Sequence, residues 1–410
     1  VGEKTFEEVK VARNGIKYFL EENHSFPSLS IGVFVKSGSR YEDGKFQGIA
    51  HFIEHTVFKG TKRRSAFDIS REIEKLGGEI NAYTSSEHTL FYVRLLSKDA
   101  EKGFDILSDI LEHPTFDAPL IEKERGVILE EIQEYFDDPQ DICQTEALKS
   151  IWGDSPVSNN PLGVEDTVKY ITHEDLKNYF NRFFNANNIF ISVAGDIDDK
   201  TLNRMLEKYF SDFNKDEFTP RINKPKFVFE AREFKKDTAQ IHIAFTFKGS
   251  KLFSRENVVS TIFNTILGGN MSSRLFQKLR EERGLVYTVY TYPVRLSDSG
   301  GTVVYASTTR NYQSEVESII MVEVENIRRD GVSQAEFEDA KSFVAGNLLL
   351  GLESTSSKMQ RNGIQGLLSG KVKKSEKLLE EIQSIELDEV NAYAKSMLDV
   401  KLGKVVVGKV

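Results

Sequence analysis

His51-Phe52-Ile53-Glu54-His55 sets two imidazoles four residues apart with a carboxylate between them. In a helix, residues four apart lie one turn from each other on the same face, so both rings can reach one cation. Glu54 follows His51 by three and adjoins His55, which puts it over the open side of such a cation without having to bind it. A water activated by a metal needs a nearby base for its proton, and a carboxylate there fits that task. Two histidines do not complete a catalytic zinc site, which usually takes three protein ligands and one water. The other histidines, at 24, 88, 113, 173 and 242, show no pairing at helical spacing. The better third ligand lies in FDAPLIEKERGVILEEIQEYF, residues 116–136. Asp117 suits an N-cap and Pro119 a first turn, while Leu120, Ile121, Val127, Ile128, Ile132 and Tyr135 trace an apolar stripe. Glu131 has Val127, Ile128 and Tyr135 around it and is expected to face the core, whereas Glu130 leans outward. A carboxylate on a buried face needs a partner; a cation supplies one, and an ordinary salt bridge is the plain alternative. Glu124, two turns before Glu131 on the same face, is placed to accept from the far nitrogen of a ligand imidazole.

These residues need elements to hold them. Ile49, Phe52, Ile53, Val57 and Phe58 recur at helical spacing around the histidines, with Gly60 as the expected stop. Before them the stretch LSIGVFVK (29–36) alternates like a strand and is followed by Gly38. The same order returns later as IHIAFTFK (241–248), Gly249 and the helical VVSTIFNTILGG. A shift of 211 residues superposes Gly38 on Gly249 and puts Ile262, Thr265 and Ile266 where the first copy has His51, Glu54 and His55. The ends repeat as well: residues 173–197 and 387–410 both read as a helix followed by an apolar strand. Residues 213–232 are charged, carry Pro220 and Pro225, and read as a linker. The fold class expected is therefore α+β, with two homologous domains, each a mostly antiparallel sheet with helices packed on it. The first, 1–212, carries the candidate metal site; the second, 233–410, does not.

Composition narrows the function. The 410 residues carry a net charge of −9, which argues against a duplex-DNA binder. The Gly-rich LGGN at 267–270 lacks the pattern of a phosphate loop. No apolar run approaches the roughly 18–20 residues of a membrane span, and the first residues show no basic segment followed by an apolar one. Cys143, the single cysteine, rules out an intramolecular disulfide and a cysteine-built metal site, and reads as a buried thiol. Bacterial cytoplasm is the expected compartment, an organelle matrix the second choice.

With these residues in hand, the chain resembles the inverzincin zinc peptidases of the pitrilysin type (family M16), above all the beta subunit of mitochondrial processing peptidase and its bacterial relatives. Their signature is HxxEH followed some 75 residues later by a glutamate within E-x-x-x-x-x-x-E. Here His51, Glu54 and His55 match the first part and Glu124 and Glu131 the second, Glu131 lying 76 residues past His55. GGEINAYTSSEHT (77–89) resembles the family's substrate-binding edge strand, with Asn81 and Ala82 at the positions that contact the peptide. LGGNMSSRLFQKLREERGLVY (267–287) resembles the second-domain segment whose Arg and Tyr approach the substrate carbonyl, which fall on Arg280 and Tyr287. The likeness covers essentially the whole chain. It implies a zinc endopeptidase with one Zn2+ per chain, bound by His51, His55 and Glu131, with Glu54 as general base. It also implies half of a clam shell that closes around extended peptides as a homodimer or with a related subunit, Arg280 and Tyr287 facing the other subunit's zinc.

Two other classes stay open at this point. Relatives of such a fold serve as non-catalytic core or assembly subunits, though those typically lose part of the metal motif. A peptide-binding module with a structural zinc would fill the fourth metal position with protein, and no nearby Cys or further His offers itself.

Overall fold

The computed structural model describes residues 6–213 and 218–409. It divides into two compact units. In the first, the main sheet has six strands, β1 (Lys10–Val11), β2 (Lys17–Glu22), β3 (Ser28–Val35), β4 (Glu79–Thr84), β5 (Thr89–Leu96) and β6 (Ile189–Gly195). They lie in the order β1-β2-β6-β3-β5-β4, antiparallel except where β2 meets β6. The second sheet holds β7 (Ala231–Lys235), β8 (Ile241–Lys248), β9 (Val286–Arg295), β10 (Gly300–Thr308) and β11 (Gly403–Gly408). Its order is β9-β10-β8-β11-β7, again antiparallel except for one pair, β7 with β11.

Strand for strand, β4-β5-β3-β6-β2 and β9-β10-β8-β11-β7 are one topology written twice. Gly195 and Gly408 end matching strands β6 and β11 with φ of 131° and 141°, a region that favours glycine. Helix α1 spans Ile49–Val57 and its counterpart α6 spans Arg255–Asn264, entered by a shorter connection from β8 than the one from β3 to α1.

Contiguous halves, with boundaries at 212 and 233, do not describe the units. Residues 134–158 group with the second unit and 351–374 with the first. Part of the expected linker, 214–217, lies outside the described residues; of the rest, 223–232 belong to the second unit and 231–232 already form β7.

The exchange has a physical consequence. In the first unit Ile31, Val33 and Val193 pack on one face of the sheet with Phe104 and Leu107 of α2 (Ala100–Glu112). Phe34, Leu90 and Phe190 pack on the other face with Met359 of α8 (Thr355–Ser369). Gly363 allows this close approach, since a Cβ there would stand 1.9 Å from the Phe34 ring. In the second unit α4 (Pro139–Trp152) covers β8 and β11 through Cys143, Ala147, Ile151 and Trp152. The alternation in LSIGVFVK therefore does not mark a half-solvated strand, as both of its faces are buried. Cys143 is free and fully buried, and burial pushes its thiol pKa up, which makes it an inert core residue. No helix of the described residues is long and apolar enough to cross a membrane.

Candidate metal centre

Helix α1 is fastened on one side and open on the other. Ile49, Phe52, Ile53 and Val57 are buried in the main core of the first unit, which turns His51, Glu54 and His55 the other way. The helix starts at Gly48 in the left-handed region, with no side-chain cap of its own. Glu42 substitutes: its carboxylate accepts the N–H of Gly48 at 2.8 Å and of Ala50 at 3.0 Å. Burial pushes the Glu42 pKa up to about 7, against the pull of those two N–H groups. The helix ends at Val57; Gly60, expected as its stop, sits two residues beyond the cap at φ 134° and bridges to Ser65.

Helix α3 (Ala118–Asp137) supplies the acids. Asp117 caps it, accepting the Leu120 N–H at 3.1 Å. Arg125 ties it down, donating to Val168 and Ile171 carbonyls and lying 5.1 Å from the Phe52 ring. The buried positions are Ile121, Glu124, Ile128 and Ile132, while Leu120 and Val127 face outward. Glu131 does not face the core as its neighbours suggested. Its side chain is 39% exposed, because the α1 histidines stand on that side and leave one flank to solvent. Glu130 is exposed, as expected.

The structure brings His51, His55 and Glu131 together, with one donor atom from each within 4.8 Å of the others. Glu131 Oε2 is 3.7 Å from His51 Nε2 and 3.5 Å from His55 Nε2. These gaps are too wide for good hydrogen bonds. They suit ligands of one ion, since donors about 2.0–2.1 Å from a tetrahedral zinc stand about 3.3–3.4 Å apart. Burial, with His55 adding to it, pushes the His51 pKa down to about 3, so the ring is neutral and its lone pair is available. His51 Nδ1 is buried and finds no hydrogen-bond partner among the described residues. The donor set of two imidazoles and a carboxylate fits Zn2+.

Around this trio stand residues that orient it. Glu124 is buried and has Oε2 3.3 Å from His55 Nδ1 and Oε1 2.9 Å from Lys59 Nζ. The Nδ1–H donating to Glu124 fixes the tautomer that leaves Nε2 free for a metal. Glu124→Gln is therefore expected to weaken zinc binding by about 10–100-fold, as read by titration against a competing chelator. Glu54 belongs to neither the trio nor this pair. Burial raises its pKa, opposed by a hydrogen bond from Thr84 and by His55, and reinforced by the charge of Glu131. Thr84 Oγ1 donates to Glu54 Oε2 at 2.6 Å.

Asn81 and Ala82 lie on β4, which pairs only with β5 and so has one edge without a strand among the described residues. The Ala82 N–H donates to Asn81 Oδ1 at 2.8 Å. Arg280 and Tyr287 are in the second unit, both exposed, with the guanidinium 5.6 Å from the tyrosine ring. Sequence reasoning passed over Glu42, Lys59 and Thr84. Lys59 had a visible signal, since it follows His55 by four residues.

The chain is similar to known peptidases. Residues 17–164 match the family described as Insulinase (Peptidase family M16), and residues 170–344 match the Peptidase M16 inactive domain. YmxG of Bacillus subtilis, called an uncharacterized zinc protease, is 36% identical over 385 residues, 94% of each chain. Rv2782c of Mycobacterium tuberculosis, named in the same way, is 33% identical over 403 residues, 96% of this chain and 91% of that one. A protease from Helicobacter pylori superposes with a TM-score of 0.90 over 99% of this chain and all of that one, at 20% identity. With both halves matched and the identities sustained along nearly its whole length, the chain belongs to peptidase family M16.

Proposed function

We propose that this protein is a zinc-dependent endopeptidase that cuts unfolded oligopeptides or presequences inside a dimeric chamber. One observation carries the reading: three donor atoms converge at ligand spacing, and a half-buried carboxylate stands beside them without joining them. His51, His55 and Glu131 would hold Zn2+. Bound there, zinc supplies Lewis acidity, acidifying a water and polarising the scissile carbonyl.

The chain's own residues do the rest. Glu54 takes the proton of the attacking water on its free oxygen, Oε1, and returns it to the leaving amine nitrogen. The substrate lies extended along the open edge of β4, past Asn81 and Ala82, and is held through main-chain hydrogen bonds that tolerate many sequences. Tyr287 of the partner subunit donates to the developing oxyanion, assisted by Arg280 of the partner subunit. This division of labour makes a homodimer the working unit, with a related second subunit as the other arrangement.

A mixed peptide library incubated with the purified protein, with and without EDTA, tests the reading. Cleavage should vanish with the chelator and return with added zinc, and light scattering should give twice the chain mass. A zinc-loaded protein that binds peptides but cuts none would instead be a non-catalytic or assembly subunit. Cleavage that persists in EDTA would end the proposal.

A further inference from the structure

We propose that Thr84 is the positioning residue of the base, and that it ties the orientation of Glu54 to the strand on which the substrate lies. This rests on the reading of Glu54 as the base. Thr84 Oγ1 donates to Glu54 Oε2 at 2.6 Å, and no other hydrogen-bond or ion-pair partner of that carboxylate is present among the described residues. Glu54 ligates nothing, so without Thr84 the torsions of a long side chain would be set by packing alone, and holding it in one orientation would cost rotamer freedom. A charge-assisted hydrogen bond from a fixed donor removes that freedom and leaves Oε1 for the water.

The donor is fixed. Threonine is stiff at χ1, and Thr84 is the last residue of β4, in register with Thr89. The hairpin beyond it is anchored on every side. Ser85 N–H donates to the His88 carbonyl at 2.8 Å, and Arg40 N–H donates to the Ser86 carbonyl at 3.0 Å. Arg40 and Glu87 form a buried ion pair at 2.6 Å. Thr89 Oγ1 donates to the Ser37 carbonyl at 3.2 Å. A peptide added to the edge of β4 is thus placed by the same strand that places the base.

The second unit makes a comparable tie, Arg295 Nη2 at the end of β9 donating to Thr261 Oγ1 of α6 at 2.7 Å. A bond from strand end to helix therefore belongs to the fold. What differs in the first unit is the acceptor, a carboxylate beside a metal site. The experiment must separate a structural tie from a positioning one.

Thr84→Val keeps the shape and removes the hydroxyl; Thr84→Ser keeps the hydroxyl. With a quenched fluorogenic peptide drawn from those cleaved in the library, Thr84→Val should lower kcat by about 10–100-fold and leave KM within about twofold. Thr84→Ser should restore most of the loss. Zinc per chain, melting temperature and the affinity of the same peptide for the Glu54→Gln variant should not move. Because Thr84 acts through Glu54, adding Thr84→Val to Glu54→Gln should cost nothing further. Unchanged kcat in Thr84→Val, a change confined to KM, or a loss of zinc or melting temperature that accounts for the kcat drop would overturn the role. Full activity in Glu54→Gln alone would fail the base assignment instead, so the two failures are distinguishable.

Discussion

Glu54→Gln is expected to keep one zinc per chain and to lose peptide hydrolysis by about 10²–10⁴-fold, the range that a positioned general base contributes. The amide has nearly the shape of the carboxylate and can still accept from Thr84 Oγ1, so the 2.6 Å contact survives. It cannot take up a proton. The trio His51, His55 and Glu131 does not include residue 54, so the metal has no reason to leave. Removing a carboxylate whose pKa burial raises should, if anything, relieve the fold. Zinc content and turnover measured on one preparation decide the matter. Intact zinc with intact turnover would remove Glu54 from the mechanism, and lost zinc would make it a ligand.

Glu131→Ala is expected to lose both. Deleting one of three protein ligands leaves two imidazoles, short of the three ligands of a catalytic zinc. The Lewis acidity that goes with the ion is worth several kcal/mol, so hydrolysis should fall by about 10³-fold or more. This substitution is a cleaner test than His51→Ala. The Glu131 side chain is 39% exposed and its truncation should change stability by no more than about 0.5 kcal/mol. His51 is buried, and its removal opens a cavity that could unfold the helix for reasons unrelated to metal. Urea unfolding of metal-free samples of both variants against the parent checks this distinction.

The parts of the site that were readable in the sequence were those set by local geometry. His51, Glu54 and His55 lie within five residues, and a helix alone fixes which of them share a face. Glu124 and Glu131 were reachable by the same period within one long helix, though their exposure was not: Glu131 borders solvent because α1 docks across α3, which no neighbour in sequence reports. Thr84 and Glu42 were hidden because each meets α1 only after chain segments fold back, one from a hairpin and one from the loop ahead of the helix. The duplication could be seen in strand order and in the glycines that end β6 and β11. The exchange of α4 and α8 could not. Helices covering the second face of each sheet come from distant sequence, and Gly363 against Phe34 is legible only once both are in place.

The most direct test of the metal centre is a crystal grown with zinc and measured on both sides of the zinc absorption edge. One anomalous peak is expected in the first unit, about 2.0–2.2 Å from His51 Nε2, His55 Nε2 and a Glu131 oxygen, with Glu54 near it but not bound. The other grouping of possible donors among the described residues, Glu112, His113 and Asp212, should stay empty. A peak there and none at the histidines, or a fourth protein ligand closing the site, would contradict this expectation.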